Sequence, residues 1–156
     1  MNKTLPIIMC LAIMVILASC ESAPSAASQG SGTVGATGAT VPIVANAQAR
    51  YSRNVVLTDS QRYTVVRGDT LTRISRARYN NGYYYPLILM ANGDLIRDPD
   101  RILPGMVITI PNLQRNLNNA AARADLRAFI LEMSLLEEQR GRARTATQMR
   151  TLARSL

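Results

Sequence analysis

Histidine is absent from this 156-residue chain, and cysteine occurs only at Cys10 and Cys20. Without histidine there is no His-based nucleophile pair and no imidazole metal ligand. Two cysteines near the start give no disulfide framework for the rest of the chain, so stability must come from packing. Lysine is nearly missing too: the formal charge of +8 rests on 17 arginines and Lys3 against 10 acids. The acids do not pair in a catalytic pattern. Asp98 and Asp100 flank Pro99 in a turn-rich stretch and read as loop caps. Glu132, Glu137 and Glu138 fall on a helical segment, where an exposed, solvated or ion-paired role is the default. Acid–base cleavage of a glycan needs two carboxylates facing each other across a cleft, and nothing here encodes that. Neither an enzyme nor a cofactor or metal is expected.

What is present begins with an export segment at residues 1–19. Lys3 supplies its charge, and Leu5 to Ala18 is apolar but too short to span a bilayer comfortably. Leu17-Ala18-Ser19-Cys20 resembles the bacterial lipobox. That resemblance implies cleavage before Cys20 and acylation of the new terminus on sulfur and nitrogen, which anchors the protein to a membrane. Removing Lys3 leaves a charge of +7, 17 arginines against 10 acids. An acidic residue next to the lipid site favours retention in the inner membrane, but Glu21 is a weaker signal than Asp, so the outer membrane, periplasmic side, is the expectation. Residues 20–62 read as the lipidated cysteine and a tether. Ser22 to Thr40 is mostly Ala, Ser, Gly and Thr with no charge, too poor in large apolar residues to offset ordering entropy. A coil running from Glu21 to Arg62 spans roughly 36 Å and reaches ~140 Å when stretched. Val41 to Leu57 is more apolar, and Asn54-Val55-Val56-Leu57-Thr58 suits either a short strand or a segment lying against the next domain.

Residues 63–113 have the makings of a closed domain. Tyr63-Thr64-Val65-Val66 is a half-buried strand by its β-branched and aromatic content. Gly68 can turn the chain, and Asp69 and Thr70 are N-cap types. Leu71 and Ile74 share a helical face, and Asn80-Asn81-Gly82 ends that helix. Pro86 opens a second helix, to Ala91. Pro104-Gly105 is a turn pair, and Met106 to Ile110 a second strand closed by Pro111. Tyr63, Val65, Ile74, Ile108 and Ile110 are the expected core. The order is strand, helix, helix, strand: an α+β unit with a two-stranded antiparallel sheet and both helices on one face.

YTVVRGDTL, MAN and DPDRILPGMVITIP, in that order and at domain spacing, resemble the LysM (lysin motif) family. The resemblance covers about a third of the chain, and the NNGYYYP stretch looks like a variant with extra residues before the second helix. It implies a βααβ fold and binding of N-acetylglucosamine-containing glycans, chiefly peptidoglycan and chitin. Carried over by position, it puts the sugar in a groove between Gly68, Asp69, Thr70 and Leu71 on one side and Asn92, Leu95, Ile96 and Arg97 on the other. Leu71 and Ile96 would touch the acetamide methyl. Tyr83, Tyr84 and Tyr85 either roof the core or stack on a pyranose.

Residues 114–156 form an α-helical extension. Gln114 to Arg140 lacks Gly and Pro, and Leu126, Phe129, Ile130, Met133 and Leu136 make one stripe. Gly141 breaks the helix, and Met149, Leu152 and Leu156 mark a second one, giving a hairpin. The stripe is expected to be only partly covered, leaving a surface for a protein partner or a dimer. From Gln139 onward stand Arg140, Arg142, Arg144, Arg150 and Arg154 and no acid. Export argues against nucleic acid as their partner and leaves headgroups, peptidoglycan carboxylates or a merely solvated tail. The first expectation is a lipid-anchored, non-catalytic peptidoglycan-binding protein of the cell envelope. The alternative is an envelope adaptor that recruits a wall enzyme through its C-terminal helices.

Overall fold

The structure, a computed structural model, describes residues 37–156, with side chains from residue 43 onward. The expected export segment at residues 1–19 and Cys20 lie outside the described residues. In chain order the elements are α1 (Thr37–Tyr51), a 3-10 turn (Ser52–Asn54), β1 (Gln61–Thr64), α2 (Leu71–Tyr79), a 3-10 turn (Gly82–Tyr84), α3 (Tyr85–Ala91), β2 (Val107–Ile110), α4 (Leu113–Asn118), α5 (Ala120–Gln139) and α6 (Ala143–Arg154).

The strands pair antiparallel, Tyr63 opposite Ile108. Val65 prolongs the ladder by accepting from Gly105 N–H and donating to Met106 C=O, both at 2.8 Å. Pro104 presets the turn, Gly105 takes φ +90°, and Met106 N–H reaches back to Leu103 C=O. Between the strands, α2 is capped by the Thr70 hydroxyl and ends on Asn80 at φ +57°. The next 3-10 turn lies hard against α2. A Cβ on Gly82 would sit 2.7 Å from Thr72 Cγ2, so only glycine permits that approach.

Helix α3 decides the architecture. Tyr85 to Met90 is buried along its whole length, and Leu87, Ile88 and Leu89 have no exposed surface. A helix that is apolar all round must be covered all round. The sheet and α2 cover part of it, and α1 and α5 cover the rest. One core results, in which Val65, Ile74, Ile108 and Ile110 join Leu126, Phe129, Ile130, Met133 and Leu136.

Two expectations change here. The tether does not run to Arg62. Residues 37–51 are helical, and Val44, Ala47 and Gln48 of α1 are buried. Gln48 Nε2 donates to Leu89 C=O at 3.0 Å and Ile96 C=O at 2.8 Å, and Tyr51 packs on Phe129 with ring centroids 5.9 Å apart. Thr, Gly and β-branched residues start this helix poorly, so packing rather than propensity holds it. Second, the α5 stripe is not left over for a partner: each of its five residues is buried within the chain. The surface on which the adaptor reading drew is therefore already used.

The hairpin itself forms as its sequence requires. Gly141 takes φ +75°, with Arg142 N–H bonded to Glu137 C=O and Gly141 N–H to Glu138 C=O, a Schellman ending. The asparagines before α5 split off α4, because Asn112 caps α4 and Asn119 caps α5. Asn116 is fully buried, and its amide bonds Val56 N–H and C=O, both at 2.9 Å, pinning the approach to β1.

Candidate functional site

The β1–α2 loop makes one wall of a cleft of about 350 Å³. Gly68 turns it at φ +89°, and Arg73 braces it through a 3.0 Å bond to Gly68 C=O. Thr70 rather than Asp69 caps α2. Asp69 instead folds back, accepting Val66 N–H at 2.9 Å and the Tyr63 hydroxyl at 2.7 Å. The Val66 N–H, and then the Tyr63 O–H, hold its carboxyl below the usual range, and the same contact raises Tyr63. Asp69, Thr70, Leu71 and Thr72 line this side.

Opposite stand Pro99, Asp100 and Ile102. Their loop is tightened by Asp98, whose carboxylate accepts Asp100 N–H at 3.0 Å and whose C=O accepts Arg101 N–H at 3.0 Å. Tyr83 and Arg76 also border the cleft, and Tyr85 is otherwise buried below it, its hydroxyl pKa raised by that burial. A further wall comes from the hairpin: Glu137, Arg142 and Thr145. Glu137 is buried, not on an exposed face as expected. Arg142 Nε meets its carboxylate at 2.5 Å, and Arg140 at 3.5 Å. Both arginines also reach Asp100, at 2.8 Å from Arg140 and 3.7 Å from Arg142. Burial is the largest single influence on the Arg142 cation and disfavours it, but the Glu137 bond together with the charges of Glu137 and Asp100 outweighs burial and raises its pKa. The network thus ties the hairpin to the Pro99–Ile102 loop.

The residues expected to bind sugar divide. Asp69, Thr70 and Leu71 meet at the cleft, with Leu71 only 2% exposed and chiefly core. Gly68 shapes the loop. None of Asn92, Leu95, Ile96 and Arg97 lines this cleft. Asn92 is buried, its amide bonded to Thr109 N–H and C=O and to Ile88 C=O. Ile96 is 1% exposed, with its carbonyl taken by Gln48. Leu95 is exposed, and Arg97 borders a separate hollow beside α1. The loop before β2 does supply a wall, but from Pro99 to Ile102. Tyr79 and Tyr84 meet edge to face at 6.3 Å, and the Tyr79 hydroxyl donates to Pro111 C=O, so these rings serve the fold. Among the described residues no group of acidic, His or Cys side chains is arranged for a metal, and no helix is long and apolar enough to cross a membrane.

Comparison with known proteins gives partial relatives. The potassium binding protein Kbp of Escherichia coli is 48% identical over 54 residues, 35% of this chain and 36% of that protein. Esterase Rv1288 and Esterase MT1326 of Mycobacterium tuberculosis are each 41% identical over 69 residues, 44% of this chain and 14% of theirs. The matches thus span about a third of the first relative and about a seventh of the others. No solved structure matches. Residues 63–111 match the family model described as LysM domain, the segment that holds both strands, α2 and α3, and so this part of the chain is a LysM domain.

Proposed function

We propose that this chain is a non-catalytic cell-envelope protein whose LysM domain holds N-acetylglucosamine-containing glycan, peptidoglycan first. Lipid on Cys20 would tether it to the membrane, on the periplasmic side of the outer membrane. The observation that carries this reading is the cleft between Asp69–Thr72 and Pro99–Ile102. The two loops that flank the helix pair face each other there. At the start of α2, the Leu71 and Thr72 N–H groups have no intrahelical partner, which suits an acetamide oxygen. Ile102 adds apolar surface for its methyl group. The carboxylates of Glu137 and Asp100 are already paired, with Arg142 and Arg140. Carboxylates so engaged are poorly placed for proton transfer, which favours binding over catalysis. The potassium and ester named for the relatives stay with those proteins, since the shared segments are 36% and 14% of them.

A single lipid-tethered site gains from being held near its ligand, because tethering raises effective concentration. The test is sedimentation with purified sacculi, using the full chain in mild detergent. Wild type is expected to pellet, and Ile102→Arg, which fills the cleft from a surface loop, to remain in solution with unchanged circular dichroism. Wild type that fails to pellet, or a folded Ile102→Arg that pellets equally, refutes the reading.

A further inference from the structure

The cleft borders three acids and two arginines, and most of this charge is spent. Asp69 is engaged by Val66 N–H and Tyr63 O–H, while Glu137, Asp100 and Arg142 share one network with Arg140. Arg76 differs. It lines the cleft from the exposed side of α2, and among the described residues it has no ion pair or hydrogen bond. Its guanidinium lies over the 3-10 turn, with Nη2 3.7 Å from where a Gly82 Cβ would stand. The bare glycine therefore leaves room for that side chain beside the cleft. Thr72, Tyr83 and Thr145 border the same space, and the acids that share it, Asp69, Asp100 and Glu137, already have partners. A guanidinium with no partner beside such residues suits one chemistry above others: a carboxylate, held by two parallel N–H bonds, on a hydroxyl-bearing ligand.

We infer that Arg76 makes this cleft selective for acidic amino-sugar glycans, those with a carboxylate on or beside the ring, over neutral N-acetylglucosamine polymers. The inference rests on the glycan reading above and adds a ligand class to it. Thr145 and Arg142 belong to the hairpin, so the helical extension shapes the same site. The network also explains why Arg142 is not the receptor: its charge is already matched by Glu137 and Asp100.

Titration calorimetry on the full chain in mild detergent tests this with three soluble oligosaccharides of equal length. One is neutral oligo-N-acetylglucosamine. Another carries lactyl carboxylates on alternate sugars, and the third is its methyl ester. The acid is expected to bind about tenfold tighter than the ester, the scale of one charge-assisted contact. Arg76→Gln should erase that gap between acid and ester, and Arg76→Lys should keep part of it. Circular dichroism of both variants checks the fold. Equal binding of acid and ester by wild type, or a gap that survives Arg76→Gln, overturns the inference while the glycan reading stands. If no oligosaccharide binds wild type, the glycan reading falls and takes the inference with it.

Discussion

Two buried asparagines do in this protein what a strand neighbour does elsewhere. Asn92 bonds Thr109 N–H and C=O, and Asn116 bonds Val56 N–H and C=O. Each side-chain amide copies a peptide group and satisfies a backbone pair that would otherwise be orphaned. Alanine at 116 strands both Val56 groups, so Asn116→Ala should cost about 1–3 kcal/mol. Urea unfolding measures it, and a loss within error would show that water replaces the amide. From sequence, Asn92 resembles part of a sugar site. A polar residue in a motif looks alike whether it faces ligand or backbone. Asp69 is different, because its contacts are those of a charged carboxylate. Its folded pKa lies below the ordinary 3.8, so it adds stability above that value and loses it as pH falls through the folded pKa. The midpoint difference between wild type and Asp69→Asn should therefore be constant at neutral pH and close under acid. A difference that persists unchanged below the folded pKa would mean the Asp69 contacts do not depend on charge.

At the scale of elements, the LysM segment was legible because its signals are local. Thr70, Asn80, Pro86, Pro104 and Gly105 each punctuate one turn or cap, and both strands fell within two residues of their place. Gly141 likewise marked the hairpin. Helix α1 was not legible, since its Gly, Thr and Val residues argue against a helix and only distant contacts repay the ordering. The missed signal for those contacts was α3. PLILM has no polar face, and a two-helix, two-strand unit has too little material to surround it. The same argument opposes independence of the domain. A chain ended at Leu113 would lose α5 from α3 and expose Leu87 to Met90 and α1 to water. Such a truncated chain is expected to lack a cooperative urea transition and to self-associate in light scattering. A monomeric fragment with a sharp transition would show that α5 only decorates the domain.

For the whole molecule, the helical extension and the LysM domain share both a core and a charge network. Of the five C-terminal arginines, Arg140 and Arg142 face Asp100 and Glu137, and Arg150 pairs with Glu138. The tail that reads as a basic block is thus partly neutralised by its own chain, and it spends that charge bracing a wall of the cleft. If the parts are one cooperative unit, unfolding must look alike from either end. The chain offers two probes for this. All six tyrosines lie between Tyr51 and Tyr85, none lies in α4, α5 or α6, and there is no tryptophan, so near-ultraviolet emission reports the front half. Far-ultraviolet dichroism is weighted towards the back half, where α5 and α6 contribute 20 and 12 helical residues. Coincident urea curves from the two signals are the expected result, since buried Phe129 and Leu126 belong to the same core as Val65 and Ile108. Phe129→Ala should move both curves together by about 3–5 kcal/mol. Curves that separate, with dichroism lost first, would mean the hairpin melts on its own, and the wall formed by Glu137, Arg142 and Thr145 would then be a mobile addition to the cleft.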